Sequence, residues 1–152
     1  MRLSERQVGM IQDSFKKVLP ISDAAAQIFY DKLFEYDADL QRLFKQNMGD
    51  QGKKLMQTLA VAIGALKDLD KLVPVLQNLA VKHLDYGVKV EDYTPVGNAL
   101  LFTLEKGLGN SFTQELKQAW IVLLKVVFNV MRQAAYPDFD PITYKNIKRY
   151  NI

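Results

Sequence analysis

The chain has 152 residues, 49% of them hydrophobic and 24% charged, which is the length and balance of one globular domain with a full core. A net charge of only +3 with scattered basic residues argues against nucleic-acid binding, and no uncharged apolar run is long enough to span a membrane. The lack of cysteine excludes a disulfide framework and a thiolate metal site, and together with an N-terminus unlike a signal peptide it favours a cytoplasmic protein.

Residues 4–20 show the periodicity of a first helix with one buried stripe. Ser4, with Gln7 three residues later, fits a capping box at its start, and Pro20 ends it. The apolar positions that recur at helical spacing are Val8, Ile11, Phe15, Val18 and Leu19. A second helix is predicted to begin after Ser22. Its apolar residues are Ile28, Phe29, Leu33 and Phe34.

A corner and a third long helix follow. The segment "DADLQRLF" predicts a short helix or turn with its apolar side chains facing inward. The composition of "QNMGDQG" indicates a loop, with Asp50 as a candidate cap for the helix after it. That helix is predicted over about 51–66. One stripe along it contains Gln51, Leu55, Thr58, Leu59 and Ala62.

The second half of the chain continues the helical pattern. A helix is predicted over about 72–86, with Gly87 as its natural stop. Pro95 lies near the start of the next helix, where its fixed φ is tolerated, and "GLGN" ends that helix. Ser111 and Gln114 predict a second capping box, which begins a long last helix.

Together these segments predict an all-α fold of six long helices and one short helix, in a single domain over residues 1–136. The sequence shows no strand-like alternation and no internal repeat. Residues 137–152, with two prolines and mixed composition, form a C-terminal extension that is predicted to be coil or a short helix.

His83, in "AVKHLDYGV", is the only histidine of the chain, and a lone histidine among apolar neighbours is usually just packed or solvated. One histidine and no cysteine exclude most nucleophilic and general-base schemes, as well as zinc and di-iron centres. The sequence has no glycine-rich phosphate loop either. A single imidazole is too few ligands for a bare metal ion, but it is enough for haem, whose iron already has four porphyrin nitrogens.

Five separated motifs carry a more specific signal: "IFYDKLFEYDADLQRLF", "DQGKKLMQTLAVAI", "LAVKHLDYGV", "DYTPVGNALL" and "ELKQAW". In this order and at these intervals, over roughly residues 4–135, the chain resembles the globins, and among them the single-domain bacterial globins similar to the haem domain of flavohaemoglobins. The resemblance implies a globin fold around a haem pocket, with the short helix in the corner before the distal helix. It also implies haem b, held without a covalent bond, as the cofactor.

The resemblance assigns a role to eight residues. His83 matches the proximal histidine that binds iron through Nε2, and Tyr30 and Gln51 match distal hydrogen-bond donors to a bound ligand. The residues that would contact the haem are Phe44, Lys54, Leu55, Tyr93 and Val96. Lys54 would meet a propionate. Plainer alternatives stay open: Tyr30 as a core tyrosine, Gln51 as a solvated helix start and Lys54 as a surface lysine, while the apolar residues belong to a core in either case.

One departure from the resemblance concerns the proximal side. Flavohaemoglobins place a glutamate on the last helix behind the proximal histidine, coupled to the tyrosine that Tyr93 matches, and such a carboxylate favours peroxide-like chemistry. The corresponding "MRQAAYPDF" has no glutamate, and Asp138 lies beyond a helix-breaking proline. We therefore expect weak peroxidase chemistry. Since there is one histidine, we also expect no second histidine ligand to the iron within one chain.

Two functions from different classes follow from the resemblance. The first is binding of O2, NO and CO by a monomer or homodimer, with high O2 affinity because two distal donors slow the loss of polar bound O2. NO dioxygenation would then need an external reductase, because no flavin or nicotinamide domain follows in these residues. The alternative is a gas sensor or regulatory globin that acts through an interface or the C-terminal tail. A globin fold without haem is a third option, against which His83 and the apolar pocket argue.

Overall fold

In the computed structural model, which describes residues 3–45 and 47–148, six α-helices account for most of the chain. They are α1 (Glu5–Val18), α2 (Ser22–Tyr36), α3 (Met48–Gly64), α4 (Leu69–Asp85), α5 (Tyr93–Leu108) and α6 (Gln114–Ala135). They are connected by short 3₁₀ turns: Leu19–Ile21, the corner helix Ala38–Leu43, Leu66–Asp68, Val90–Asp92 and Gly109–Ser111. The described residues contain no strand, so the prediction of an all-α fold is confirmed. No helix within these ranges is both long and apolar enough to cross a membrane.

The helices pack around a shared core. α2 lies against α5 and α3, whereas α4 lies against α6, which also packs on α1. Ile11 of α1, Leu33 of α2 and Pro95 of α5 are fully enclosed. A Cβ added to Gly52 of α3 would stand only 2.9 Å from the Cβ of Ala26 of α2, so the glycine allows these two helices to touch. α3 and α4 are thus anchored to different neighbours.

Two predicted helix boundaries are confirmed. At the start of α1, Ser4 Oγ accepts a hydrogen bond from the amide of Gln7 at 3.1 Å, and the amide of Ser4 donates to Gln7 Oε1 at 2.9 Å. This is the predicted capping box. After α4, Gly87 has a φ of +97°, the left-handed conformation that stops a helix at little cost only for glycine.

Two helices begin earlier than predicted. α3 begins inside the predicted loop because Asn47 caps it: Asn47 Oδ1 accepts from the amides of Gly49 at 2.8 Å and Asp50 at 3.2 Å. Asp50 therefore lies in the first turn of the helix and is not its cap. Gln46, the first residue of the predicted loop, lies outside the described residues. α4 likewise begins at Leu69 instead of near residue 72, directly after a 3₁₀ turn.

The start of α6 also differs from the prediction. Its cap is Thr113, whose Oγ1 accepts from the amide of Leu116 at 3.2 Å. Ser111 belongs to the preceding 3₁₀ turn, so the predicted capping box of Ser111 and Gln114 is wrong. Both hydroxyl residues have suitable side chains, but Thr113 has the extended backbone that a cap needs, with φ −69° and ψ 164°.

The C-terminal tail, residues 136–148, has no helix and returns to the body of the molecule. The hydroxyl of Thr94 donates to Asn146 Oδ1 at 2.9 Å, and Lys148 forms ion pairs with Asp37 and Asp92. The C-terminal extension therefore lies against the helices as far as Lys148, and residues 149–152 lie outside the described part of the chain.

We expect the substitution Thr113→Ala to lower the free energy of unfolding by about 1 kcal/mol, because it leaves an amide in the first turn of α6 without its acceptor. Ser111→Ala is the matched control and should change that free energy by less than about 0.5 kcal/mol. Urea denaturation followed by circular dichroism measures both. Equal losses in the two variants would contradict the assignment of the cap.

Candidate functional site

A cavity of about 400 Å³ lies between α3 and α4. Its apolar lining consists of Val61, Ala62, Leu72, Val75, Leu76 and Leu79, and its polar lining of Gln57, Thr58, Asn78 and Lys82. The α3 stripe predicted from Gln51 to Ala62 contributes to this lining and is not fully buried at any of its five positions. The buried residues of α3 are instead Gly52, Met56 and Ile63. The described chain thus leaves an apolar face of α3 partly uncovered, which makes it available to a bound group.

His83 lies on α4, one turn after the cavity-lining residue Leu79, and is half-buried. Its Nδ1 is 2.7 Å from the carbonyl oxygen of Leu79. Because a carbonyl only accepts, the Nδ1 proton must occupy this bond, and the neutral ring then keeps its lone pair on Nε2. This is the arrangement of a metal-ligating histidine whose other nitrogen is held by the backbone. Within the described residues no cluster of three or more His, Cys, Asp or Glu side chains offers a bare metal ion a site.

Tyr30 and Gln51, the two predicted distal donors, are brought together. Tyr30 is buried on α2, and its hydroxyl donates to the backbone carbonyl of Gln51 at 3.3 Å. Burial raises the pKa of Tyr30 to about 12, so the hydroxyl keeps its proton at neutral pH and remains a donor. Gln51 is half-buried in α3, and the earlier start of that helix gives it a helical backbone on both sides.

An aromatic cluster surrounds Tyr30. Phe44, just after the corner helix, meets the Tyr30 ring edge-on at 5.2 Å between centroids, and it meets Phe34 at 5.5 Å. Tyr30 also contacts Phe29 at 5.0 Å. Because the rings interlock, the hydroxyl of Tyr30 is held at one place near the start of α3.

The other predicted contact residues are spread over two helices. Leu55 and Lys54 lie one turn beyond Gln51 on α3, with Leu55 half-buried and Lys54 exposed. Val96 is half-buried in the first turn of α5. The exposed fraction of each of these three side chains fits a cofactor contact as well as an ordinary helix position, so the roles of Lys54, Leu55 and Val96 stay predictions.

Tyr93 is buried at the start of α5, and its hydroxyl has no hydrogen-bond partner among the described residues. Its ring lies 5.4 Å from the ring of Phe128 and 6.5 Å from that of Tyr136. Burial is the main reason that the pKa of Tyr93 rises to about 12. The ring of His83 lies 6.2 Å from that of Tyr86 on its own helix, so His83 and Tyr93 contact different aromatic neighbours.

Two cations that sequence analysis missed lie next to this region. Arg132 of α6 is buried, with its guanidinium carbon 5.4 Å from the centroid of the Tyr93 ring. Arg132 lies four residues after Phe128, on the apolar side of α6, and this spacing could have predicted that it is buried. Lys148 gave no such signal, because its partners Asp37 and Asp92 are distant in sequence.

Several known proteins are similar to this chain in sequence. The globin family model matches residues 27–131. A neuroglobin from Danio rerio is 31% identical over 144 residues, covering 86% of this chain and 91% of the relative. A flavohaemoprotein from Oceanobacillus iheyensis is 32% identical over 121 residues, covering 78% of this chain but 30% of that longer protein. The predicted resemblance to flavohaemoglobins is confirmed, and neuroglobins, which the motifs did not indicate, match over a longer stretch.

Two solved structures share the fold. An engineered carbene transferase, described as a putative nitric oxide dioxygenase from Rhodothermus marinus, has a TM-score of 0.76 at 22% identity and covers 86% of this chain and 92% of its own. A hexacoordinated haem protein from an anhydrobiotic tardigrade has a TM-score of 0.78 at 16% identity, and the match covers 87% of this chain and 94% of the tardigrade protein. At these identities the likeness establishes the fold alone.

Proposed function

This chain belongs to the globin family, and we propose that it binds haem b without a covalent bond and holds O2, NO or CO there. The observation that carries the proposal is the hydrogen bond from His83 Nδ1 to the carbonyl of Leu79, which leaves Nε2 as the ligand atom. Bound haem supplies an iron with a coordination position open to diatomic gases. The face of α3 that carries Leu55 and Leu59 is only partly buried, which fits an apolar group, and the neighbouring α3–α4 cavity ends at Leu79 and Lys82, beside His83 but without it. Lys54 is our candidate partner for a propionate.

Tyr30 and Gln51 would act on the ligand as hydrogen-bond donors. The bond from the Tyr30 hydroxyl to the Gln51 carbonyl is long at 3.3 Å, so turning toward a ligand with partial negative charge costs the hydroxyl little. Each such bond contributes about 1–3 kcal/mol, and two together slow O2 loss by about 10²-fold or more. CO, which carries little charge, gains much less. The pocket therefore favours high O2 affinity with slow release.

The histidine count restricts how the iron is ligated. If His83 is the proximal ligand, a second histidine ligand within one chain is impossible, because the sequence has no other histidine. A resting state with six ligands then needs water, hydroxide, Tyr30 or another group. A bis-imidazole electron paramagnetic resonance signal from untagged protein is thus not expected.

We further propose NO dioxygenation, in which NO, O2 and one electron from an external reductase give nitrate. Support comes from the flavohaemoprotein relatives and from the fold shared with a putative nitric oxide dioxygenase. The chain spans 30% of the flavohaemoprotein, so the electron supply is a separate part of the proposal. A cytoplasmic location, expected from the sequence, belongs to the same proposal.

A regulatory globin is the second candidate, and one observation favours it. The Lys148 ammonium donates to Asp37, directly after α2, and to Asp92, directly before α5, the latter at 2.7 Å. Both carboxylates are largely buried, with 13% and 4% of their side chains exposed. Since α2 carries Tyr30 and α5 begins with Tyr93, the ion pairs of Lys148 connect the helix of a predicted distal donor to the helix that begins with the predicted proximal-side tyrosine. Movement at the site would reach the tail through this ion-pair triad.

Haem reconstitution tests the leading proposal. Purified protein incubated with haemin should show a Soret band with one haem per chain, and the ferrous form should shift on exposure to CO. His83→Ala should lose most of this binding, whereas Tyr86→Phe, on the same helix and exposed, should keep it. A wild-type chain without a Soret band would overturn the haem proposal.

Tyr30→Phe tests the distal donor. We expect the O2 dissociation rate to rise by about tenfold, because the variant loses one hydrogen bond to a charged acceptor, while the CO dissociation rate changes by less than about twofold. Stopped-flow displacement of O2 by CO measures the first rate. Tyr86→Phe is the matched control. An O2 rate in Tyr30→Phe within a factor of two of the wild type would rule out this role.

Lys148→Gln tests the regulatory alternative. The substitution leaves Asp37 and Asp92 without their shared cation, so hydrogen exchange in the tail should become faster. If the tail is coupled to the site, O2 affinity changes by about threefold or more, whereas Lys145→Gln, an exposed neighbour, has no effect. A freed tail with unchanged O2 affinity would remove the support for a regulatory function.

A further inference from the structure

Arg132 is a buried cation in an aromatic cage. The residue exposes 6% of its surface, and its guanidinium carbon lies 4.8 Å from the ring centroid of Tyr144, 5.4 Å from that of Tyr93 and 5.9 Å from that of Phe139. In the part of the chain that the structure describes, no carboxylate lies within 4 Å of it. A buried charge without a counter-ion is expensive, and three aromatic faces offset only part of that cost.

The hydrogen bonds of Arg132 hold the segment between α4 and α5. Its Nε donates to the carbonyl of Val90 at 2.9 Å, and a terminal nitrogen donates to Thr94 Oγ1 at 3.3 Å and Asn146 Oδ1 at 3.5 Å. One planar group therefore joins α6, the 3₁₀ turn at Val90, the start of α5 and the tail. A lysine in the same place lacks the fork of donors that makes these contacts simultaneous.

A second bond from the end of α6 reaches the same segment. The hydroxyl of Tyr136 donates to the carbonyl of Val88 at 2.6 Å, and the amide of Val88 donates to the carbonyl of His83 at 3.1 Å. The backbone that follows His83 is thus tied at Val88 and at Val90 to side chains of α6 and the tail. Its position depends on Arg132 and Tyr136, which are about fifty residues further along the chain.

We propose that Arg132 is a positioning residue for the proximal side of the site: it fixes Val90 and Tyr93 relative to His83. Its buried charge favours the reduced state of iron bound at His83, because the nearby carboxylate of Asp92 is already paired with Lys148. This inference rests on the proposed haem. A positive charge in a low-dielectric surrounding stabilises the state with one more electron. The ferrous state is the one that binds O2, so Arg132 would make the iron easier for a reductase to reduce.

The sign of this charge sets the chain apart from the flavohaemoglobin pattern, in which a carboxylate stands behind the proximal histidine. A carboxylate pushes electron density toward the iron, whereas a guanidinium beside Tyr93 has the opposite effect. The buried hydroxyl of Tyr93, which has no partner among the described residues, cannot pass a carboxylate's charge to His83. The proposed role of Arg132 thus agrees with the expectation of weak peroxide-like chemistry.

Spectroelectrochemistry of the haem-loaded protein tests the charge. Arg132→Met should lower the midpoint potential, and Arg132→Lys should keep most of it. Asn146→Asp places a carboxylate beside the guanidinium without altering the core, and it should lower the potential as well. Arg6→Gln and Asn110→Asp make the same charge changes at exposed positions far along the chain from the cage, and they should leave the potential unchanged.

Hydrogen exchange tests the positioning. Arg132→Lys loses the bond to Val90, so amides of residues 88–94 should exchange faster by about threefold or more, which a surface control does not cause. If Asn146→Asp and Arg132→Met both keep the wild-type potential, the electrostatic role is refuted. If Arg132→Lys leaves exchange at 88–94 unchanged, the positioning role is refuted. A wild-type chain that binds no haem would refute the proposed function itself, and exchange in the haem-free protein would still decide the positioning.

Discussion

The hydrogen bond between His83 Nδ1 and the carbonyl of Leu79 is the constraint on which the site depends. It uses the preceding turn of α4 to choose the tautomer of the only imidazole in the chain, and so it determines which nitrogen can act as a ligand. The bond requires α4 to stay helical through His83, and Gly87 ends the helix only one turn later. A chain with one histidine has no alternative ligand if this geometry fails, so the regular end of α4 matters as much as the residue itself.

On the predicted distal side, the position of Gln51 depends on where α3 begins. Asn47 caps α3, and its side chain satisfies two amides at the point where the chain leaves the corner helix. This places Gln51 inside a regular helix, where its carbonyl can accept from the buried Tyr30. The aromatic packing of Phe44 and Phe34 around Tyr30 fixes the other end of that bond. Both predicted donors therefore lie on regular helices rather than on a loop, which is the condition for hydrogen bonds that would discriminate between ligands.

Sequence reasoning identified the helices because their periodicity is local, and it placed Tyr30 and Gln51 on the same side of the site because the resemblance to the globins implies it. It failed at the caps of α3 and α6, where Asn47 and Thr113 compete with neighbours of similar side-chain chemistry and the backbone conformation decides. It also missed Arg132 and Lys148. Periodicity could have placed Arg132 on an apolar face, but the aromatic cage is built from α5 and the tail, which are not neighbours in sequence. Contacts between segments that are distant in the sequence leave no periodic pattern from which they could be predicted.

These long-range contacts are also where the chain departs from the flavohaemoglobin pattern it otherwise resembles. The roles of the distal donors and of His83 are predictions that follow from the resemblance to the globins. The buried cation beside Tyr93 and the ion pairs of Lys148 depend instead on contacts between segments that are distant in the sequence. Under the proposed function, the distal donors would act on the bound ligand, whereas the buried Arg132 would act on the reduction of the iron. Because the two proposed effects concern different steps, O2 retention and ease of reduction would be set independently in this domain.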